Sequence, residues 1–321
     1  MEATLTNGGR LFDLKDERGV LKVSITATLM IAVFGLGFGL VSGSYSIIFD
    51  GVYAMVDACM SLLSLLVVHL ITSFAHSKGL SRRLTERFSM GFWHLEPMVL
   101  GMNGTLLIAV TVYALLNAVT SLMAGGRDLE FGWAMVYAVI TLVVCIVIAV
   151  VAARANRRIN SDFVRLDVKG WIMSAGITAA LLVAFSLGYA VQETQWHWIS
   201  PYIDPAVLAI VCLVIIPLPV STVRQALADI FLVTPPELKQ HVDEVAQAFV
   251  EKHGLVTYRA YVARVGRSRE IELYLIVPEE APARTIGELD ALRDEIGEAI
   301  GYEGPHLWLT VVFTGDLSWA D

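Results

Sequence analysis

SIIFDGVYAMVDACMSLLSLLVVHLITSF, residues 46–74, is an apolar run broken at depth by two carboxylates, Asp50 and Asp57. A bilayer core about 30 Å thick needs roughly 20 apolar residues in a helix, so this stretch can cross one. Five further runs read the same way: Leu21–Val41, Pro97–Ala124, Phe131–Ala153, Phe163–Gln192 and Asp204–Val223. Pro97 stands at a favourable first-turn position, whereas Pro217 and Pro219 are expected to kink or end the sixth helix. The composition agrees, because 56% of the 321 residues are hydrophobic and only 17% are charged, against about 25% charged in a soluble chain.

The basic residues are distributed unevenly between the connections. Arg10, Lys15, Arg18 and Lys22 precede the first span, and Lys78, Arg82, Arg83 and Arg87 follow the second. Arg154, Arg157, Arg158, Arg165 and Lys169 lie between or at the ends of the fourth and fifth, while the opposite connections hold only Arg127. Lys and Arg gather on the cytoplasmic side, which predicts cytoplasmic termini in a cell inner membrane. The cluster Trp196-His197-Trp198 suits an outer interfacial belt, with His197 as a polar loop residue. The polar, acidic N-terminus does not read as a secretory signal.

Beyond Arg224 the pattern becomes that of a small soluble domain. Pro235–His253 and Thr285–Ile300 read as helices, and Tyr258–Val265, Glu270–Pro278 and His306–Thr314 as strands, the first two joined by a Gly-Arg-Ser turn. The fold class is therefore membrane all-α with six transmembrane helices, plus a C-terminal cytosolic α+β (αββαβ) domain with an open-faced antiparallel sheet. The expected organisation is a cytosolic segment over 1–20, a transmembrane domain over 21–223 and a dimerisation or regulatory domain over 224–321. Leu309-Thr310-Val311-Val312 would serve a partner face of a homodimer, since so small a core gains from pairing.

A carboxylate near the bilayer centre costs roughly 2.5–3.5 kcal/mol on an insertion scale, and such residues face polar cavities and carry function. Asp50 and Asp57 are two helical turns apart, so they share a face about 10 Å apart along the axis, with Tyr53 on nearly the same stripe. That seam looks like part of a cation pathway; Asp50, close to the helix start, equally suits a capping role. Asp167 and Lys169, at the fifth-span entrance, are explained by snorkelling or an ion pair. Asn103 suits coordination or an interhelical hydrogen bond. Cys59, Cys145 and Cys212 read as small buried apolar residues, and no Cys pattern points to disulfides or a metal. No basic tract points to nucleic acid, and no H-E-x-x-H or G-x-S-x-G motif points to an enzyme.

The stretch Ser42-Gly43-Ser44-Tyr45-Ser46-Ile47-Ile48-Phe49-Asp50, with Tyr53 and Asp57 beyond it, resembles the entry to the second helix of the cation diffusion facilitator family. Gly91-Phe92-Trp93-His94-Leu95-Glu96 resembles that family's Gly-x-x-basic-x-Glu segment. The resemblance implies a homodimeric, proton-coupled exporter of a divalent metal cation, with a tetrahedral site shared by the second and fifth helices. Tyr53 stands at the first second-helix ligand position, and Gly170 and Ser174 at the fifth-helix ones, so the chain is divergent there. Phe88 and Phe92 stand where some relatives carry histidines, and His241, His253 and His306 are scattered. An oxygen-rich set of Asp57, Asp50, Tyr53, Asn103 and Ser174 would favour manganese, magnesium or iron(II) over zinc. The metal is then transported substrate, and no cofactor is expected. The alternatives are a same-fold transporter of protons or an organic cation, which the aromatic Tyr53 and Trp171 would suit, and a non-transporting membrane scaffold or sensor.

Overall fold

The computed structural model describes residues 17–75, 91–159, 162–192, 194–266, 268–301 and 307–320. The expectations for Arg10, Lys15, Lys78, Arg82, Arg83, Arg87, Phe88 and His306 lie outside the described residues. Six helices among the described residues are long and apolar enough to cross a membrane. They are α1 (Glu17–Ser42), α2 (Tyr45–Ala75), α3 (Leu95–Met123), α4 (Phe131–Ile159), α5 (Asp162–Gln192) and a sixth span in two parts. Its parts are α6 (Ser200–Ile215), entered through a 3₁₀ turn at His197–Ile199, and α7 (Val220–Ile230). Helix α6 stops at Ile215, just ahead of Pro217 and Pro219, and the chain turns over 216–219 before α7 begins, as two prolines without N–H donors require. His197 and its flanking tryptophans are exposed.

The chain divides into two compact units, Met1–Leu63 with Asn103–Ser221, and Ser64–Met102 with Thr222–Asp321. In the first, α4 lies along α5, with α1 packed on both and α6 on α5. Its centre is apolar and aromatic: Tyr137 and Phe185 are fully buried beside Ile47, Phe131 and Leu181. A second cluster joins Phe49 and Ala118 to Leu208 and Cys212. Large apolar side chains such as Leu40 and Met123 stand on the outside, an arrangement costly in water and natural against lipid.

The second unit holds α8 (Pro236–His253), β1 (Thr257–Val265), β2 (Ser268–Ile276), α9 (Ile286–Ile300) and β3 (Leu307–Thr314). The strand order is β1-β2-β3. β1 and β2 form the antiparallel hairpin, with Thr257 opposite Ile276 and Val265 opposite Ser268. β3 runs parallel to β2, with Arg269 opposite Leu307. The sheet is therefore mixed, not antiparallel. The reason is connectivity: α9 carries the chain back across one face, and a helical crossover delivers the next strand in parallel. Val242, Phe249, Ile296 and Ile300 from the helices pack on Val262, Ile271, Leu273, Leu275 and Val311. Leu309 and Val311 point into this core. Alternation leaves only Thr310 and Val312 of that stretch on the opposite face, half of what the sequence suggested for a partner surface. Tyr261 and Tyr274 meet edge to face there at 6.1 Å.

In the same unit the tip of the β1–β2 hairpin rests against the start of α3. A Cβ on Gly266, whose φ is +60°, would lie 3.1 Å from Glu96 Oε2. Arg264 pairs with Asp229 of α7 at 3.0 Å, and Gln225 donates to the same Asp229 oxygen at 2.6 Å.

Candidate functional site

The site begins with the way α1 and α2 are pressed together. The chain reverses at Gly43, whose φ of +73° suits a residue without a Cβ. Beyond the turn the two backbones approach at contact distance. A Cβ on Gly39 would lie 2.8 Å from Ile48 N, and one on Gly51 would lie 2.7 Å from Leu36 N. Gly35 and Gly39, four residues apart on α1, form the small-residue face on which membrane helices close. Gly51 directly follows Asp50, so the tight pairing fixes where Asp50 stands.

Asp204 of α6 holds the entrance of α2. It is 2% exposed, accepts from Ser44 Oγ at 2.6 Å and from the Tyr45 backbone N–H at 2.9 Å. The Ser46 hydroxyl donates to its backbone carbonyl at 3.1 Å. A helix start leaves four N–H groups without intrahelical partners, and a carboxylate from another helix satisfies one of them here. The sequence showed Asp204 only as the first residue of a span.

Behind this entrance, α1, α2, α5 and α6 enclose a cavity of about 400 Å³. Asp50, Tyr53 and Asp57 all line it, as the seven-residue spacing required, and so does Ser174. Tyr137 of α4, outside the lining, donates its hydroxyl to Asp50 Oδ2 at 2.5 Å. Asn103 does not line the cavity; its Oδ1 is buried and accepts no hydrogen bond among the described residues. The expected grouping of Asn103 with the other four therefore does not form: α3 turns this amide elsewhere. Ser46, Thr28 and Met173 add further polar or polarisable atoms to the wall, and Phe49, Ile177, Leu208 and Ile215 supply apolar surface.

The wall also holds a residue that sequence reasoning set aside. Asp167 of α5 lines the cavity, and its Oδ1 accepts from Ser24 Oγ of α1 at 2.7 Å. Among the described residues its hydrogen-bond partner is thus Ser24, not the neighbouring Lys169. Trp171 donates its indole N–H to the same Ser24 oxygen at 2.7 Å. Asp167, Trp171 and Ser174 stand at i, i+4 and i+7, one stripe of a helix; that spacing was the available signal. Three carboxylates thus border one cavity, and no Lys, Arg or His lines it among the described residues.

Cys145 and Cys212 are fully buried, as expected, but Cys59 is exposed. It lies two residues past Asp57, about 200° round the helix, and so on the side away from the cavity. Among the described residues no three of His, Cys, Asp and Glu come together closely enough to hold a metal ion. His241 bonds the Ile300 carbonyl and His253 bonds Glu295, so these two histidines serve the helices of the second unit.

No curated protein matches the chain. The family model of the cation efflux transmembrane domain matches residues 21–231, from the first apolar run to the end of the broken sixth span and well over half of the chain. With six membrane-spanning helices and a cavity lined by three carboxylates, the chain belongs to the cation efflux family, the cation diffusion facilitators, and is a multi-pass membrane transporter of cations.

Proposed function

We infer that the chain is a proton-coupled secondary transporter exporting a hard divalent cation from the cytoplasm, with Asp57 as its main substrate carboxylate. The observation behind this reading is that Asp50, Asp57 and Asp167 all line one cavity, with no Lys, Arg or His in its wall among the described residues. Each buried carboxylate costs roughly 2.5–3.5 kcal/mol at the centre of a bilayer, and a bound cation or a proton offsets that cost. A cation leaving outward is then replaced by protons, and their release inward prepares the site again, so the two fluxes are linked. Asp50, held by Tyr137, supports Asp57. Carboxylates with the hydroxyls of Tyr53 and Ser174 and water form an oxygen donor set, which suits manganese, magnesium or iron(II) better than zinc.

In this reading the N- and C-termini face the cytoplasm across a cell inner membrane, following the basic residues. The chain works as a homodimer whose second unit pairs through the sheet face bearing Tyr261, Tyr274 and Val312. An organic cation is the second reading, favoured by Tyr53 and Trp171, both of which line the cavity and offer aromatic faces to a cation.

The test is uptake into proteoliposomes under a pH gradient, with zinc, manganese, iron(II), cobalt and magnesium, for the wild type and Asp57→Ala. Manganese or iron(II) uptake that collapses the gradient and vanishes in the variant is the expected result. Uptake that survives Asp57→Ala overturns the mechanism. No metal flux, together with flux of a quaternary ammonium, transfers the site to organic cations.

A further inference from the structure

The sixth span is longer than a membrane requires. Its apolar stretch runs over His197–Ile230, 34 residues, where roughly 20 suffice. Helix α6, with 16 residues, rises about 24 Å at 1.5 Å per residue, and the 3₁₀ turn before it adds about 6 Å. Together they match a hydrocarbon core of about 30 Å, so the crossing does not need α7.

Helix α7 is also turned the wrong way for a soluble helix. Its polar side is the one held in place: Asp229 is buried and bonded by Arg264 and Gln225. Ala226 is buried too, against Gly101 of α3, where an added Cβ would lie 3.2 Å from it. Val220, Leu227 and Phe231, at i, i+7 and i+11, form one stripe, and all three are exposed. Arg224 stands exposed at the edge of that stripe. A helix on a soluble domain buries its apolar stripe and shows water the polar one; here the order is reversed.

The end of α7 continues the pattern at a conformational cost. The Val233 N–H donates to the Ala228 carbonyl at 2.8 Å and the Leu232 N–H to the Asp229 carbonyl at 3.4 Å. These are the paired bonds of a Schellman turn, with Leu232 at its left-handed position. Helices α8 and α9 end there on Gly254 and Gly301. Leu232, with φ +53°, is the one non-glycine of positive φ among the described residues, and a side chain is disfavoured in that conformation. The fold does not bury what it gains: Phe231, Leu232 and Val233 are 73%, 52% and 58% exposed. Three consecutive apolar side chains are thus held outward as a hook.

Continuity along the chain points to what covers it. Ile210, Leu213 and Val214 of α6 are exposed as a lipid-facing helix requires, and exposed apolar side chains continue through Leu218 and Val220 to Leu227 and the hook. Arg224 has the long stem that keeps methylenes in an apolar layer while its charge reaches headgroup phosphates. We propose that α7 and Phe231-Leu232-Val233 form an interfacial anchor, lying in the lipid headgroup layer rather than crossing the bilayer. The anchor ties the chain to the membrane surface just ahead of α8.

The test labels the full-length protein with a nitroxide at Phe231→Cys or Val233→Cys, with Cys59→Ala removing the exposed native thiol. The protein is reconstituted into vesicles of phosphatidylcholine and phosphatidylglycerol in equal parts. Spin relaxation by oxygen, which collects in lipid, is compared with relaxation by a water-soluble nickel chelate. Leu213→Cys is the lipid reference and Ala248→Cys the water reference, both at exposed positions. The oxygen-to-nickel ratio at Phe231→Cys and Val233→Cys is expected to lie between the references and several-fold above the water value. A ratio equal to that of Ala248→Cys puts the hook in water and overturns the anchor. Shielding from both reagents means that protein, such as a second copy of the chain, covers the hook, and overturns it as well. Should Phe231→Cys not fold, Val233→Cys alone decides. Leu232→Gly keeps the turn, since glycine adopts this φ freely, and removes the central side chain, so it should lower the ratio at Val233→Cys toward the water value. An unchanged ratio there overturns the anchoring role of the hook.

Discussion

Tyr137 donates its hydroxyl to Asp50 across 2.5 Å, from a ring that is fully buried and stacked on Phe34 at 5.6 Å. The phenol is anchored by its ring, so the carboxylate is held by a partner that cannot easily follow it.

Tyr137→Phe keeps the ring packing and removes the donor. A hydrogen bond to a charged group contributes about 1.5–3 kcal/mol, or roughly tenfold to a hundredfold in an equilibrium. Cation affinity should fall within that range while the protein stays folded. Substrate counterflow in proteoliposomes measures this, and affinity equal to wild type would show that Asp50 is oriented by something other than Tyr137.

What could be read from the sequence follows from which forces are local. Spans were legible because a bilayer demands long apolar runs, and the α2 stripe because Asp50, Tyr53 and Asp57 share one helix. Asp167 and Asp204 were not, because each stands near the end of an apolar run, where a charge is usually cheap. Only their tertiary partners, Ser24 for one and Ser44 for the other, make them structural features. Asn103 failed for the converse reason: the rotation of α3 about its axis is set by packing, not by its own sequence. The parallel pairing of β3 with β2 was legible in principle, since a helix between two strands favours it.

The α1–α2 contact gives a sharper test of how the site is built. A Cβ on Gly51 would meet Leu36 N at 2.7 Å and Ala32 O at 3.0 Å, backbone atoms that cannot swing aside, whereas one on Gly37 meets nothing within 4 Å. Gly51→Ala should therefore push the helices apart and displace Asp50, with a cost of about 1–3 kcal/mol from overpacking and slower transport. Gly37→Ala should be neutral or slightly stabilising, because alanine is the better helix former. Thermal stability of the two variants in detergent, compared side by side, decides it. Equal melting temperatures would mean the backbones are not in contact as described.

In the second unit, α9 carries its own pH dependence. Thr285 caps it, its hydroxyl accepting from the Glu288 N–H at 3.3 Å while Glu288 Oε2 accepts from the Thr285 N–H at 2.7 Å. That backbone bond, then the Thr285 hydroxyl, hold the Glu288 carboxyl below its ordinary value of 4.5. Bonds from His253, at 3.0 Å, and from Lys252, at 2.9 Å, do the same for Glu295. A carboxyl whose pKa is lower in the folded state stabilises that state above its unfolded value, and the contribution is lost as pH falls through the folded value. Protection of α9 amides from hydrogen exchange, corrected for intrinsic rate, should accordingly be level above about pH 5 and decline below about 4.5, the ordinary glutamate value. Glu288→Gln with Glu295→Gln should flatten that decline, and Thr285→Ala should lower protection at every pH by about 1 kcal/mol, the usual worth of an N-cap. A decline unchanged in the double variant would place the acid sensitivity of α9 in other groups.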